Sequence, residues 1–319
     1  MTYNIVVADR LSTEGIEILQ AVPEFQVNPG PLNRAEALSA IAEADALIVR
    51  SATKADAELL AAAPNLKAIA RAGAGVDNID LAVAGAQGVQ VMNTPGGNTI
   101  AAVEQTMGLM LALARHIPQG HQSLVEGRWD RKLYMGTQVY GKTLGIVGLG
   151  RIGQAVAVRA QAFGMTTIAA DPWQPAEVFA ACNTTSVTLD ELFASSDYIA
   201  LHAPAGEATR HMINDTTLAS MKDGVRLINT ARGTLIDPAA LAAAIESGKV
   251  AGAAIDVYPT EPPDADYPLL GLAGVLHTPH LGASTQEAQI TVAVQAAEQI
   301  RDGLLTGDYR NVVNADLLR

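Results

Sequence analysis

The sequence has 319 residues, room for two domains of ordinary size. Apolar residues make up 49 %, charged residues 17 % and aromatics 4 %, so alanine, valine, leucine and glycine carry a large interior suited to helices packed on a parallel sheet. A net charge of −12 disfavours nucleic acid or an anionic membrane as partner, and the single cysteine, Cys182, excludes an internal disulfide and fits a reducing cytosol.

The opening TYNIVVADR lacks the charged-then-apolar order of a signal peptide, and no window of about 18 uninterrupted apolar residues suggests a membrane span. Short apolar runs at 4–9, 46–50, 66–71 and 89–93 read as buried strands, with stretches of helical spacing between them. This alternation predicts a parallel sheet with helices on both faces. NTPGGNT (93–99) breaks the pattern. Residues 99–117 then form a helix that is apolar nearly all round, and in so acidic a chain we favour a subunit interface for it. A basic, aromatic-containing excursion follows at 126–142. A second series of strands is predicted at 142–150, 165–171, 196–204, 224–231, 250–257 and 274–280. The last long helix spans 284–305, with Ser284 and Glu287 spaced as a capping box, and is long enough to cross from one domain to the other. We therefore expect a discontinuous domain of 1–97 with 284–319, and a second domain of 98–283.

In GIVGLGRIGQAV, Gly148, Gly150 and Gly153 match G-x-G-x-x-G between a strand and a helix. The first glycine permits the tight turn, the second lets backbone approach a pyrophosphate, and the third allows close helix–strand packing. The helix start offers free N–H groups to phosphate. Asp171, eighteen positions after Gly153 at the end of the next strand, suits both ribose hydroxyls and repels a 2′-phosphate, so the cofactor predicted is NAD. Arg151 in the turn either braces the pyrophosphate or is a solvated arginine.

Hydride transfer from a 2-hydroxy acid needs a base near neutral pH, a fixed cation for the carboxylate, and a carboxylate behind the base. The second series of strands has one of each near a strand end: His280 in VLHTPH, Arg232 in LINTARG, and Glu261 in DVYPTEPP. Taken singly, they also read as a satisfied loop histidine, a loop ion pair and a turn carboxylate. No carboxylate–histidine cluster in the sequence argues for a metal.

VRSATK, RAGAGVDNIDL, NTPGGNTIAAVEQ, NTARGTLID and TPHLGASTQEAQ, with the glycine fingerprint, resemble the D-2-hydroxyacid dehydrogenases over nearly the whole chain. The resemblance implies an α/β fold of two doubly wound parallel-sheet domains, a Rossmann nucleotide-binding domain inserted into a flavodoxin-like substrate domain. It implies His280 as acid/base, Glu261 as its partner and Arg232 as substrate anchor. Cofactor contacts would fall on Arg151, Ile152, Asp171, Thr230, Ala231, Asp256, Gly282 and Ala283, with Asp256 holding the nicotinamide carboxamide. Backbone N–H groups of Gly73, Ala74 and Gly75 would hold the substrate carboxylate. Arg50 and Arg71 would serve a phosphorylated acid, and Arg131 and Lys132 resemble a loop lent across a dimer. Ala74 and Ala203 depart from the threonines expected there. The resemblance thus points to oxidation of 3-phospho-D-glycerate in the cytoplasm by a homodimer or tetramer. Glycerate, glyoxylate or hydroxypyruvate are alternatives, and a dinucleotide-sensing scaffold a third. The sequence ends before the regulatory domains some members carry, so feedback through one is not expected.

Overall fold

In the computed structural model, which describes residues 2–318, the chain begins with β1 (Tyr3–Val7), α1 (Thr13–Gln20), β2 (Phe25–Asn28), α2 (Arg34–Ala40), β3 (Ala46–Val49), α3 (Ala57–Ala61), β4 (Ala68–Arg71), α4 (Leu81–Ala86) and β5 (Gln90–Asn93). It continues with α5 (Thr99–Arg115), α6 (Ile117–Val125), β6 (Thr143–Val147), α7 (Arg151–Ala162), β7 (Thr166–Ala170), α8 (Ala176–Ala181) and β8 (Thr185–Ser186). Then come α9 (Leu189–Ser195), β9 (Tyr198–Leu201), α10 (Asp215–Ser220), β10 (Val225–Asn229), α11 (Pro238–Glu246), β11 (Val250–Ile255), β12 (Val275–His277) and α12 (Gln286–Thr306). The elements divide into two units: Met1–Thr99 with Ala283–Arg319, and Ile100–Gly282.

The first unit is a five-stranded sheet in the order β2-β1-β3-β4-β5, parallel at every pairing, which is the flavodoxin-like order. Its central strand β3, ALIV, is buried at all four positions, as a strand covered on both faces must be. One face packs under α2 to α4, with Ile41, Leu59 and Ala84 in its core. The other packs under α1 and α12, with Leu19, Val292, Ala296 and Ile300. The two helices approach so closely that a side chain at Gly15 would meet Ala293 at 2.8 Å. After α12, Val313 N–H donates to Val91 O and Asn314, 1 % exposed, bonds both backbone groups offered by Val89 and Val91. This segment closes the β5 edge, which would otherwise present unpaired peptide groups.

The second unit is a seven-stranded sheet in the order β12-β11-β10-β9-β6-β7-β8, again parallel throughout. Strand order reverses between β6 and β9, and this is where an open α/β sheet leaves a crevice at its C-terminal edge. The fold class matches the expectation of two doubly wound parallel sheets.

Two local expectations are corrected. The cap of α12 is Thr285, which accepts from Ala288 N–H, so the cap lies one residue on and the Ser284/Glu287 box does not form. Helix α12 packs on α1 and the sheet of the first unit. The apolar helix at 99–117 ends at Arg115, and His116, with φ 52°, turns the chain into α6. Val103, Met107, Leu109, Met110 and Leu113 of α5 are buried in the second unit's own core, while Ile100 at its start is 50 % exposed. Further exposed apolar side chains follow at Ile117, Leu124, Val125, Trp129, Leu133 and Met135. No helix among the described residues is long and apolar enough to cross a membrane.

Candidate active site

The β6–α7 turn gives each fingerprint glycine a distinct reason. Gly148 has φ +91°, and a Cβ there would meet His202 O at 2.8 Å. A Cβ on Gly153 would stand 2.2 Å from Gly148 O, so the helix packs on the turn only because this position is bare. Gly150 faces open space, with no atom within 4 Å of its would-be Cβ. It is the N-cap of α7 and supplies no side-chain cap, which leaves the helix start to an anion. Arg151 is exposed and Ile152 partly buried behind it. Asp171 binds the turn directly: Oδ2 accepts Leu149 N–H at 2.8 Å and Oδ1 accepts Trp173 N–H at 3.0 Å. Its carboxylate is thus fixed, with lone pairs remaining for two ribose hydroxyls. A bare cradle, a free helix start and an anchored aspartate fit a dinucleotide.

The three chemistry-bearing side chains come from loops after β10, β11 and β12 of the same unit. Asn229, 1 % exposed at the end of β10, accepts Ala231 N–H and donates to Arg232 O, folding the 229–232 loop on itself. Thr230 Oγ1 meets Thr106 Oγ1 of α5 at 2.7 Å. Gly233 lets this loop touch the next, because a Cβ there would lie 2.1 Å from Tyr258 C. Arg232 donates to Ala231 O at 2.7 Å, and its charge acts on Glu261.

Glu261 Oε1 accepts Tyr258 N–H at 3.1 Å and Oε2 accepts from His280 Nδ1 at 2.6 Å. Burial by itself would raise the Glu261 carboxyl. The His280 hydrogen bond, the Tyr258 N–H and the positive charges of His280 and Arg232 outweigh it and hold the group below the ordinary glutamate value. With Nδ1–H turned to a carboxylate, His280 presents Nε2 as the acceptor. The pair is within solvent reach, at 40 % and 36 % side-chain exposure.

Asp256 is wholly buried at the end of β11. Its Oδ1 accepts from Thr278 Oγ1 at 2.5 Å and Leu281 N–H at 2.8 Å, and its Oδ2 from Gly282 N–H at 2.9 Å. Its carbonyl accepts His280 N–H at 2.8 Å. What remains for a nicotinamide carboxamide is one lone pair of Oδ2. Tyr258 donates to Thr278 O and stacks on His277, whose Nε2 faces Leu269 O, tying the Glu261 and His280 loops together. Burial holds the His277 imidazole below the usual histidine value. Asn229, Tyr258 and Thr278 were not singled out from sequence.

In the first unit, Arg71 ends β4, and Arg50 follows β3 beside it. The Arg71 guanidinium lies over the glycine loop, with Nη1 1.3 Å from where a Gly73 Cβ would be. Thr94 N–H takes up the Gly73 carbonyl and Asn93 Nδ2 that of Ala74. Gly75 is partly buried. Arg50 is half-buried; its N–H donates to Asp9 and its Nη1 to Arg10 O. Burial lowers its guanidinium pKa, with Asp9 opposing. Ala283 also belongs to this unit, where its carbonyl accepts Gln289 Nε2. Arg131 and Lys132 are exposed on the 126–142 excursion of the second unit. Ala203 follows β9 and is buried beside Gly148.

The profile of the D-isomer specific 2-hydroxyacid dehydrogenase NAD-binding domain matches residues 107–282. A D-3-phosphoglycerate dehydrogenase of Synechocystis is 48 % identical over 310 residues, covering 97 % of this chain and 56 % of that protein. The chain thus spans little more than half the length of such relatives. A hydroxypyruvate reductase of Thermotoga maritima is 47 % identical over 300 residues, covering 93 % of this chain and 97 % of its own. Among solved structures, the TT0316 protein of Thermus thermophilus superposes with a TM-score of 0.88 at 34 % identity, covering 97 % and 99 % of the two chains.

Proposed function

The chain belongs to the D-isomer specific 2-hydroxyacid dehydrogenase family, and from that premise we propose that it oxidises 3-phospho-D-glycerate to 3-phosphooxypyruvate. The observation that carries the chemistry is the His280–Glu261 pair at 2.6 Å, with Arg232 acting on the same carboxylate. NAD, when bound, accepts the hydride that leaves C2 of the substrate. The Gly148–Gly153 turn, Arg151 and Ile152 would hold its pyrophosphate and Asp171 its ribose. Thr230, Ala231, Asp256 and Gly282 would hold its nicotinamide half.

His280 takes the C2 hydroxyl proton at Nε2. Glu261 keeps Nδ1–H in place and stabilises the imidazolium that forms. Arg232 holds the substrate carboxylate through its planar fork. In the first unit, the Gly73, Ala74 and Gly75 N–H groups supply a second carboxylate contact, and Arg50 and Arg71 are assigned to the phosphate. We also propose a cytosolic homodimer or tetramer, its contact surface drawn from the exposed apolar side chains of 117–135, with Arg131 and Lys132 among them. Light scattering reads this directly, and a monomer at micromolar concentration contradicts it.

One observation favours a second reading, reduction of hydroxypyruvate: the relative of that name matches over 97 % of its length. A steady-state screen decides. The proposal expects kcat/KM for 3-phospho-D-glycerate with NAD to exceed that for D-glycerate and glycolate, and NAD to be preferred to NADP. Equal or better use of the unphosphorylated acids, with hydroxypyruvate and glyoxylate reduced fastest, selects the second reading.

A further inference from the structure

We propose that Gln105 is a positioning residue for His280, acting through Thr278 and the buried carboxylate of Asp256; this rests on the reading of His280 as the acid/base. His280 has φ 52°, in the left-handed region. A non-glycine residue there costs about 1–3 kcal/mol and persists only where its surroundings fix it. The fixing agent is Asp256, which takes up three successive peptide N–H groups: His280 on its carbonyl, Leu281 and Gly282 on its carboxylate. Where the imidazole points, and whether it meets Glu261, follows from that clamp.

Asp256 in turn needs its donors, because a buried carboxylate short of hydrogen bonds is costly. Thr278 has one hydroxyl hydrogen, and it goes to Asp256 Oδ1 at 2.5 Å. Its direction is set from the other side: Gln105 Nε2 donates to Thr278 Oγ1 at 3.1 Å and lies 3.4 Å from Asp256 Oδ1. A donor at Gln105 occupies the hydroxyl lone pair and leaves the hydrogen nowhere better to go than the aspartate. The next residue on α5, Thr106, meets Thr230, two residues before Arg232. Two adjacent polar side chains of α5 therefore reach the loop of the base and the loop of the anchor.

Three substitutions test this, with Thr278→Ser as the rescue. Gln105→Met keeps length and loses the donor; Gln105→Glu keeps shape and puts an acceptor where the donor was; Thr278→Val removes the hydroxyl. We expect kcat to fall about 10- to 100-fold in Gln105→Met and further in Gln105→Glu, with KM for NAD held. We expect Gln105→Met and Thr278→Val to combine with less than additive loss, as partners in one chain of bonds do, and Thr278→Ser to restore wild-type kcat. A packing role alone predicts the reverse order, with the isosteric glutamate the milder change. Amide hydrogen exchange at Leu281 and Gly282 gives a readout without turnover, and it is expected to speed up in all three variants. Unchanged exchange, wild-type kcat in both Gln105 variants, or a greater loss in Met than in Glu overturns the inference. A wild-type chain that turns over no 2-hydroxy acid overturns the functional reading instead, and the exchange result then decides the positioning claim by itself.

Discussion

The chemistry-bearing parts of the two units are held in different ways. In Ile100–Gly282, Arg232, Glu261 and His280 come from three neighbouring strand tips and are locked by side-chain bonds: Asn229 in one loop, Tyr258 and Asp256 in the others. In Met1–Thr99, the assigned groups are two arginines and a glycine loop; side chains hold their backbone, with Asp9 on Arg50 N–H, Asn78 on Arg50 O and Asn93 on Ala74 O, while the Arg50 guanidinium itself donates to a backbone carbonyl, Arg10 O. A base and its carboxylate must meet within tenths of an ångström to share a proton, whereas an anion is held by several adaptable donors. On the proposed function, the second unit carries the reaction type and the first the choice of acid.

Predictions that break or sharpen this contrast run from large to small. Glu261→Gln keeps the shape behind His280 and loses the charge that favours imidazolium, so kcat is expected to fall on the order of 10²- to 10⁴-fold with both KM values nearly kept. Steady-state kinetics checks it, and a loss confined to KM contradicts the rigid half. Arg71→Ala is expected to raise KM for 3-phospho-D-glycerate about 10- to 100-fold, the worth of a charged hydrogen bond, with little change for D-glycerate. Equal effects on both acids remove the phosphate from the first unit. Asp171→Ala is expected to raise KM for NAD about tenfold and to narrow the preference over NADP; an unaltered cofactor ratio would place the adenosine ribose elsewhere.

The smallest effect is on stability. His202, beside Gly148, is pushed down to about 4 by burial. The unfolded chain binds that proton near 6.5, so between about 6.5 and 4 unfolding takes up a proton that the fold excludes, and stability is lost as pH drops through this window. His202→Gln is expected to flatten the slope of unfolding free energy there by up to about 1.4 kcal/mol per pH unit. Parallel slopes in denaturant titrations of the two proteins contradict the burial argument.

Strong periodicity explains most of what the sequence made legible. Four buried strands of the first unit and six of the second stand out as apolar runs, each ending within a few residues of its observed bound. β2, FQVN, is four residues of alternating character with two exposed positions, and β8 has two residues, too little for any periodic signal. The glycine fingerprint was legible because Gly148 and Gly153 answer local steric demands and Gly150 leaves the helix start open. The Asn314 edge closure and the Gln105–Thr278–Asp256 chain join residues more than a hundred positions apart, and no local spacing encodes them. A helix covered by its own sheet and one covered by a second subunit have the same composition, so the all-round apolar character of α5 by itself does not tell the two apart.

The measurement that bears most directly on the account is His280→Ala with NAD binding followed by calorimetry beside turnover. The account predicts NAD affinity close to wild type, since the fingerprint turn and Asp171 are untouched, and turnover of every 2-hydroxy acid reduced on the order of 10²- to 10⁴-fold. Turnover within about tenfold of wild type would mean that another group takes the proton and that the His280–Glu261 pair is only a loop contact.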